Sequence, residues 1–180
     1  MPSIGRSFVY ALTAALLVSA GLPGAAQQQT FRLDGGGVTY AIGVTPRGTV
    51  QTVYWGARLA ADDPLPAAQP SGRAFDINDG PQEYAGWGGG LLAEPSLKIT
   101  FLDGNRDLVL RFVSATPAPH ALRVVLKDIQ RNVFVTLRYD IDPETGILAR
   151  WSEIENRTDG SLVVEQAESA EWNLDRKSVV

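Results

Sequence analysis

The residues able to do chemistry in this 180-residue chain are few, and their types narrow the reactions open to it. There is no cysteine and one histidine, His120. That excludes disulfides, thiolate metal sites, a cysteine nucleophile and the usual zinc sites. His120 follows Pro117-Ala118-Pro119 and no Gly-x-Ser-x-Gly stretch accompanies it, so a Ser-His-Asp triad lacks support and His120 reads as a surface or packing residue. Carboxylates are more numerous. Asp140-Ile141-Asp142-Pro143-Glu144-Thr145-Gly146 carries acids at alternate positions, but it lacks the early glycine and distal glutamate of an EF-hand. Pro143 and Gly146 make it a polar hairpin turn instead. A retaining glycosidase needs two carboxyl groups about 5–5.5 Å apart. Asp76, Asp79 and Glu83 lie on an irregular stretch whose spacing fixes no such distance, and they are expected to be solvated, as is the pair Asp62-Asp63. No catalytic residue, metal or cofactor is therefore assigned.

The densest cluster of unusual chemistry is "GRAFDINDGPQEYAGWGGG", residues 72–90. It holds Arg73, three acids, Tyr84 and Trp87 among glycines, with no apolar period. Tyr84 and Trp87 have two readings: their rings stack on the C–H face of a sugar, or they pin the segment to the rest of the domain. Gly88-Gly89-Gly90 is not a phosphate loop, since no Lys-Ser/Thr follows and no strand–turn–helix surrounds it.

The elements that must position these residues are strands. Residues 38–44, 49–55, 97–101, 108–113, 122–126, 133–139, 147–155 and 162–167 show β-branched or aromatic residues with period-two alternation. Val133, Val135, Leu137 and Tyr139 share one face. Trp55 and Trp151 fall within strand patterns as core or sheet-face residues. Asp103-Gly104-Asn105 is a hairpin signal between 97–101 and 108–113. After the leader no window has convincing 3.6-residue spacing, so the fold class is all-β, an antiparallel β-sandwich. Residues 57–95 form one long irregular loop, of a length that is usually functional.

Residues 1–26 read as a signal-peptide helix: Arg6 is the lone charge, residues 11–22 are apolar, and Gly24-Ala25-Ala26 supply small residues for cleavage. A membrane anchor is the alternative. The product would be exported, periplasmic or extracellular, and not membrane-bound after cleavage. The net charge of −4 and the absence of a basic run exclude a nucleic-acid partner. The expected organisation is a leader (1–26), one sandwich domain (27–175) and a short end (176–180) that does not continue the strand pattern, as in a truncated reading frame.

Three stretches carry a resemblance. "TFRLDGGGVTYAIGVTPRGTVQTVYWGARL" (30–59) resembles the opening of glycoside hydrolase family 36, the α-galactosidases, with its Ser/Thr-Tyr strand and its Tyr-Trp-Gly. "EYAGWGGGLLAEPSLKITFLDGNRDLVLRFV" (83–113) is similar to the family's Glu-Tyr, Gly-rich turn and strand ending in Asp-Gly. In the third stretch Asp128, Leu137, Tyr139, Arg150, Ile154, Asn156, Ser169 and Ala170 match the family pattern in order. The resemblance implies the amino-terminal β-supersandwich that precedes a TIM barrel, with both catalytic aspartates on the barrel and none here. It implies a part of an exported retaining α-galactosidase acting on α-1,6-linked galactosides, homo-oligomeric when complete, with oligosaccharide bound through the barrel. Its long loop reaches an active site, and Arg73 falls where a family arginine contacts substrate, a role suited to its forked donors. The family's upstream acidic contact has no counterpart, and Gly90-Leu91-Leu92-Ala93 replaces its Gly-Asp-Phe-Arg. Related specificities, α-N-acetylgalactosaminidase or raffinose-synthase-like transfer, remain open. The alternative is a free-standing carbohydrate-binding or adhesive module with Tyr84 and Trp87 as its platform.

Overall fold

A computed structural model describes residues 29–70, 82–90, 94–170 and 172. The leader (1–26), Arg73 and the end 176–180 lie outside the described residues. Nine strands follow in chain order: β1 (Thr30–Gly35), β2 (Val38–Val44), β3 (Val50–Ala57), β4 (Leu97–Phe101), β5 (Leu110–Pro117), β6 (Ala121–Asp128), β7 (Val133–Ile141), β8 (Leu148–Asn156) and β9 (Leu162–Ala167). They form three antiparallel sheets of order β1-β2-β3, β4-β9 and β5-β6-β7-β8. No helix occurs among the described residues. The all-β sandwich expected from the alternation is the fold observed.

Period-two alternation does the positioning. Along β7, Val133, Val135, Leu137, Tyr139 and Ile141 are all buried. They join Leu122, Val124 and Leu126 of β6, Leu97, Ile99 and Phe101 of β4, and Leu33, Tyr40 and Ile42 of β1 and β2 in one core to which all three sheets contribute. The polar hairpin between β7 and β8 is as expected. Asp142 Oδ1 accepts from the backbone N–H groups of Glu144 (3.1 Å) and Thr145 (2.7 Å), and Gly146 takes φ of 73°. There a side chain would be strained and its Cβ would lie 2.7 Å from the carbonyl of Gly35.

Three expectations are corrected. Asp103-Gly104-Asn105 does make a tight turn, closed by Phe101 N–H to Asn105 C=O at 2.9 Å, but β4 and β5 do not pair across it. β4 pairs with β9 and β5 with β6. The strand expected over 108–113 is observed as Leu110–Pro117, so Thr116-Pro117 belongs to β5. Proline is tolerated there because β5 is an edge strand with no ladder partner on its far side. Finally, residues 57–95 are not one surface loop: Gln82, Glu83, Tyr84 and Ala85 are buried.

Candidate functional site

The second half of the irregular stretch is threaded through the domain. Glu83 N–H donates to Val50 C=O at 2.7 Å, tying it to β3. Leu97 N–H donates to Ala85 C=O and Trp87 N–H to Leu97 C=O, each at 3.1 Å, so the segment runs parallel to the start of β4. On its other side Leu108 N–H donates to Trp87 C=O at 3.3 Å. The glycines are explained by this confinement. A Cβ on Gly86 would sit 2.4 Å from Leu108 C=O, and one on Gly88 would sit 2.5 Å from Leu108 N. Backbone approaches that close admit only glycine.

Glu83 is not solvated, as the sequence suggested; it is 1 % exposed. Carboxylates survive such burial only when charge and lone pairs are met. Tyr40 Oη donates to Oε1 at 2.5 Å, Tyr139 Oη to the same oxygen at 3.1 Å, and Thr52 Oγ1 to Oε2. Arg150, whose side chain is almost fully buried, places Nη1 2.8 Å from Oε1 and donates from Nη2 to the Glu83 carbonyl at 2.5 Å. The Nη1 contact is an ion pair by distance without an aligned hydrogen bond, and Nε has no partner among the described residues. Burial, then the facing Glu83 charge, holds the hydroxyls of Tyr40 and Tyr139 far above the usual phenol range. The network joins β2, β3, β7, β8 and the threaded segment. Four buried polar groups, Glu83, Tyr40, Tyr139 and Arg150, are committed to one another with the more exposed Thr52 beside them, and leave Glu83 no role as a free acid, so this centre is structural.

The residues assigned to a sugar site separate. Tyr84 is 2 % exposed and its Oη lies 3.3 Å from Ser152 Oγ. Burial raises its pKa. Its ring therefore pins the segment to the core and presents no face to solvent. Trp87 is half-buried at the surface, with the Arg106 guanidinium 4.1 Å and Lys98 Nζ 5.5 Å from its ring centroid. It borders a shallow depression of about 390 Å³ with Gly88, Gly89, Gly90, Arg106 and Asp107. Asp107 Oδ1 accepts from Gly89 N–H at 2.9 Å, and Arg106 is paired with Glu165. Trp87 thus keeps a place in a polar surface hollow, without Tyr84 beside it. Sequence reasoning missed Arg106 and Asp107 because nothing in their local pattern distinguishes them; the turn at 102–104 carries them there.

His120 is exposed, its Nδ1 3.3 Å from Asp34 C=O. Trp55 and Trp151 lie on sheet faces and are 48 % and 40 % exposed. Asp62 and Asp63 are exposed. Among the described residues no three His, Cys, Asp or Glu side chains cluster as a metal site. Nor is any described helix long and apolar enough to cross a membrane.

Comparison with known proteins places this fold. A GH36 α-galactosidase, AgaB from Geobacillus stearothermophilus, superposes with a TM-score of 0.66 at 24% identity, over 80% of this chain and 24% of its own. An AgaA variant from the same organism, solved in complex with raffinose, gives 0.65 at 22% over 78% and 24%. The α-galactosidase from Lactobacillus brevis gives 0.65 at 20% over 81% and 24%. The chain therefore spans about a quarter of the length of these enzymes. No curated protein matches it. The profile of the glycosyl hydrolase family 36 N-terminal domain matches residues 48–180, close to three quarters of the sequence. Together with the sandwich, this establishes that the chain belongs to glycosyl hydrolase family 36, through the family's N-terminal domain.

Proposed function

We propose that this domain is the non-catalytic N-terminal unit of an exported, retaining α-galactosidase that releases terminal α-galactose from oligosaccharides. The observation that carries the proposal is the family match over residues 48–180 in a chain equal to a quarter of the solved enzymes. The raffinose bound to one of those enzymes supports an oligosaccharide substrate. The chemistry agrees. Retention needs a carboxylate nucleophile and a carboxylic acid facing one anomeric carbon. Among the described residues the one deeply buried glutamate, Glu83, is consumed by Arg150, Tyr40, Thr52 and Tyr139. The two catalytic acids belong in the remaining three quarters of such an enzyme. The domain supplies assembly within a homo-oligomer and a loop at the pocket rim. Arg73 supplies a forked pair of hydrogen-bond donors to sugar hydroxyls.

Expressed alone, the chain is expected to give no turnover of an aryl α-galactoside above the uncatalysed rate; turnover would overturn the reading. In an enzyme carrying the catalytic part, Arg73→Ala should lower kcat/KM about tenfold or more, the weight of one charged hydrogen-bonding contact. An unchanged kcat/KM would remove Arg73 from the site.

A further inference from the structure

The outer face of the sheet β5-β6-β7-β8 carries a second surface built like a sugar subsite, distant in sequence from the loop. Register sets it up. Thr116, Arg123, Arg138 and Trp151 stand opposite one another on four successive strands, forming a row of long side chains across the sheet. Two residues along, the neighbouring row is Ala121, Asp140 and Ala149, two of them small. Long groups beside short ones leave a hollow of about 290 Å³, flanked by Arg123, Arg138, Asp140 and Trp151. Successive side chains on a strand alternate faces, so this row points away from the core that holds Leu122 and Tyr139.

The lining selects the ligand. Trp151 is 40 % exposed on a sheet whose other face is buried along its two central strands. Its flat ring gives an apolar platform with a polar rim, the arrangement that suits an amphipathic ligand. Arg138 is held beside it by Glu153, with Nε and Nη2 at 3.1 and 3.3 Å from the two carboxylate oxygens. Arg123 and Asp140 are exposed on either side. Two cations and two anions cancel, so the surface has no complement for a phosphate, a uronate or a nucleic acid. Donors beside acceptors complement hydroxyls, which both give and accept hydrogen bonds. The volume admits one ring rather than a long chain. We propose that this face binds a neutral pyranose unit of an oligosaccharide, stacked on Trp151 and hydrogen-bonded by Arg123 and Asp140. This holds the domain on its substrate independently of catalysis.

The test is saturation-transfer NMR and titration of the 180-residue chain with raffinose. Saturable binding with Kd on the order of 1 mM is expected, the strength of a single small polar contact surface. Trp151→Ala should weaken it about tenfold, and Arg123→Ala, an exposed position that folding does not need, should weaken it several-fold. Trp55→Ala, at an exposed tryptophan on another sheet, should leave Kd unchanged. Absence of saturable binding by the folded wild type overturns the proposal. So does equal loss from Trp55→Ala, or wild-type self-association that Trp151→Ala abolishes without any sugar binding, which would make the face a contact between copies. None of these outcomes involves turnover, so the α-galactosidase reading stands or falls separately.

Discussion

Glu83 shows how one side chain changes meaning between sequence and structure. In a glycine-rich, aperiodic stretch an acid is expected in water, because carboxylates are rarely buried. Yet Glu83 is enclosed by two tyrosine hydroxyls, a threonine hydroxyl and a guanidinium. Tyr40, Glu83, Tyr139 and Arg150 all sit in the three stretches that carry the family resemblance, and in space they meet at one point. Removing one partner of a buried pair strands the other charge, which typically costs about 3–5 kcal/mol. Glu83→Gln keeps the shape and discards the charge, leaving Arg150 buried without a counter-ion. Its melting temperature is expected to fall by on the order of 10 °C in calorimetry, for a chain of this size. Glu94→Gln, whose partner Lys98 is at the surface, should change it by about 1 °C or less.

At the scale of elements, eight of the nine described strands were legible; β1 (Thr30–Gly35), which has no clean alternation, and the strand pairing were not. The residues of β2, β4 and β9 are those expected from alternation, because period two reports the face a sheet buries regardless of its partner. The hairpin signal at Asp103-Gly104-Asn105 reports only local backbone conformation. What diverts the chain from β4 to a different sheet is a cap made later in sequence. Asp128, 2 % exposed, accepts from Val109 N–H at 2.9 Å through Oδ1, and from Gln130 (3.1 Å) and Arg131 (2.7 Å) through Oδ2. One carboxylate therefore fixes both the entry of β5 and the turn from β6 to β7. Asp128→Ala leaves the buried Val109 N–H unmet and gives up the half-buried bonds of Gln130 and Arg131, at a cost of about 1–3 kcal/mol. Urea denaturation should show the midpoint falling at unchanged slope, and Asp128→Asn, which keeps one acceptor oxygen, should recover part of the loss.

Across the whole molecule the buried tyrosines set a limit at alkaline pH. Burial first, and the Glu83 charge second, raise the folded-state pKa of both Tyr40 and Tyr139 above the ordinary value of 10.0. A raised folded pKa gives stability that is complete below the unfolded value and is lost as pH climbs past it. Stability is thus expected to be level up to about pH 9 and then to fall, these two phenols contributing a slope of about 2.7 kcal/mol per pH unit and Tyr84, also raised by burial, adding to it. Denaturant midpoints measured from about pH 8 to about pH 11 check this, and Tyr139→Phe should lower the slope by about 1.4 kcal/mol per pH unit, the weight of one phenol. The sequence by itself determined the class, the strand faces, the polar turn at 140–146 and the family, because alternation, turn residues and ordered motifs are properties of neighbouring positions. Tertiary structure alone decided that Tyr84 is a core residue while Trp87 reaches the surface, and that Arg106 and Asp107 flank it. It alone decided that Glu83 meets Arg150, and that Trp151 stands in line with Arg138, Arg123 and Thr116. Each is a contact between residues far apart in the chain, governed by which sheets pack together, and local pattern holds no information about that.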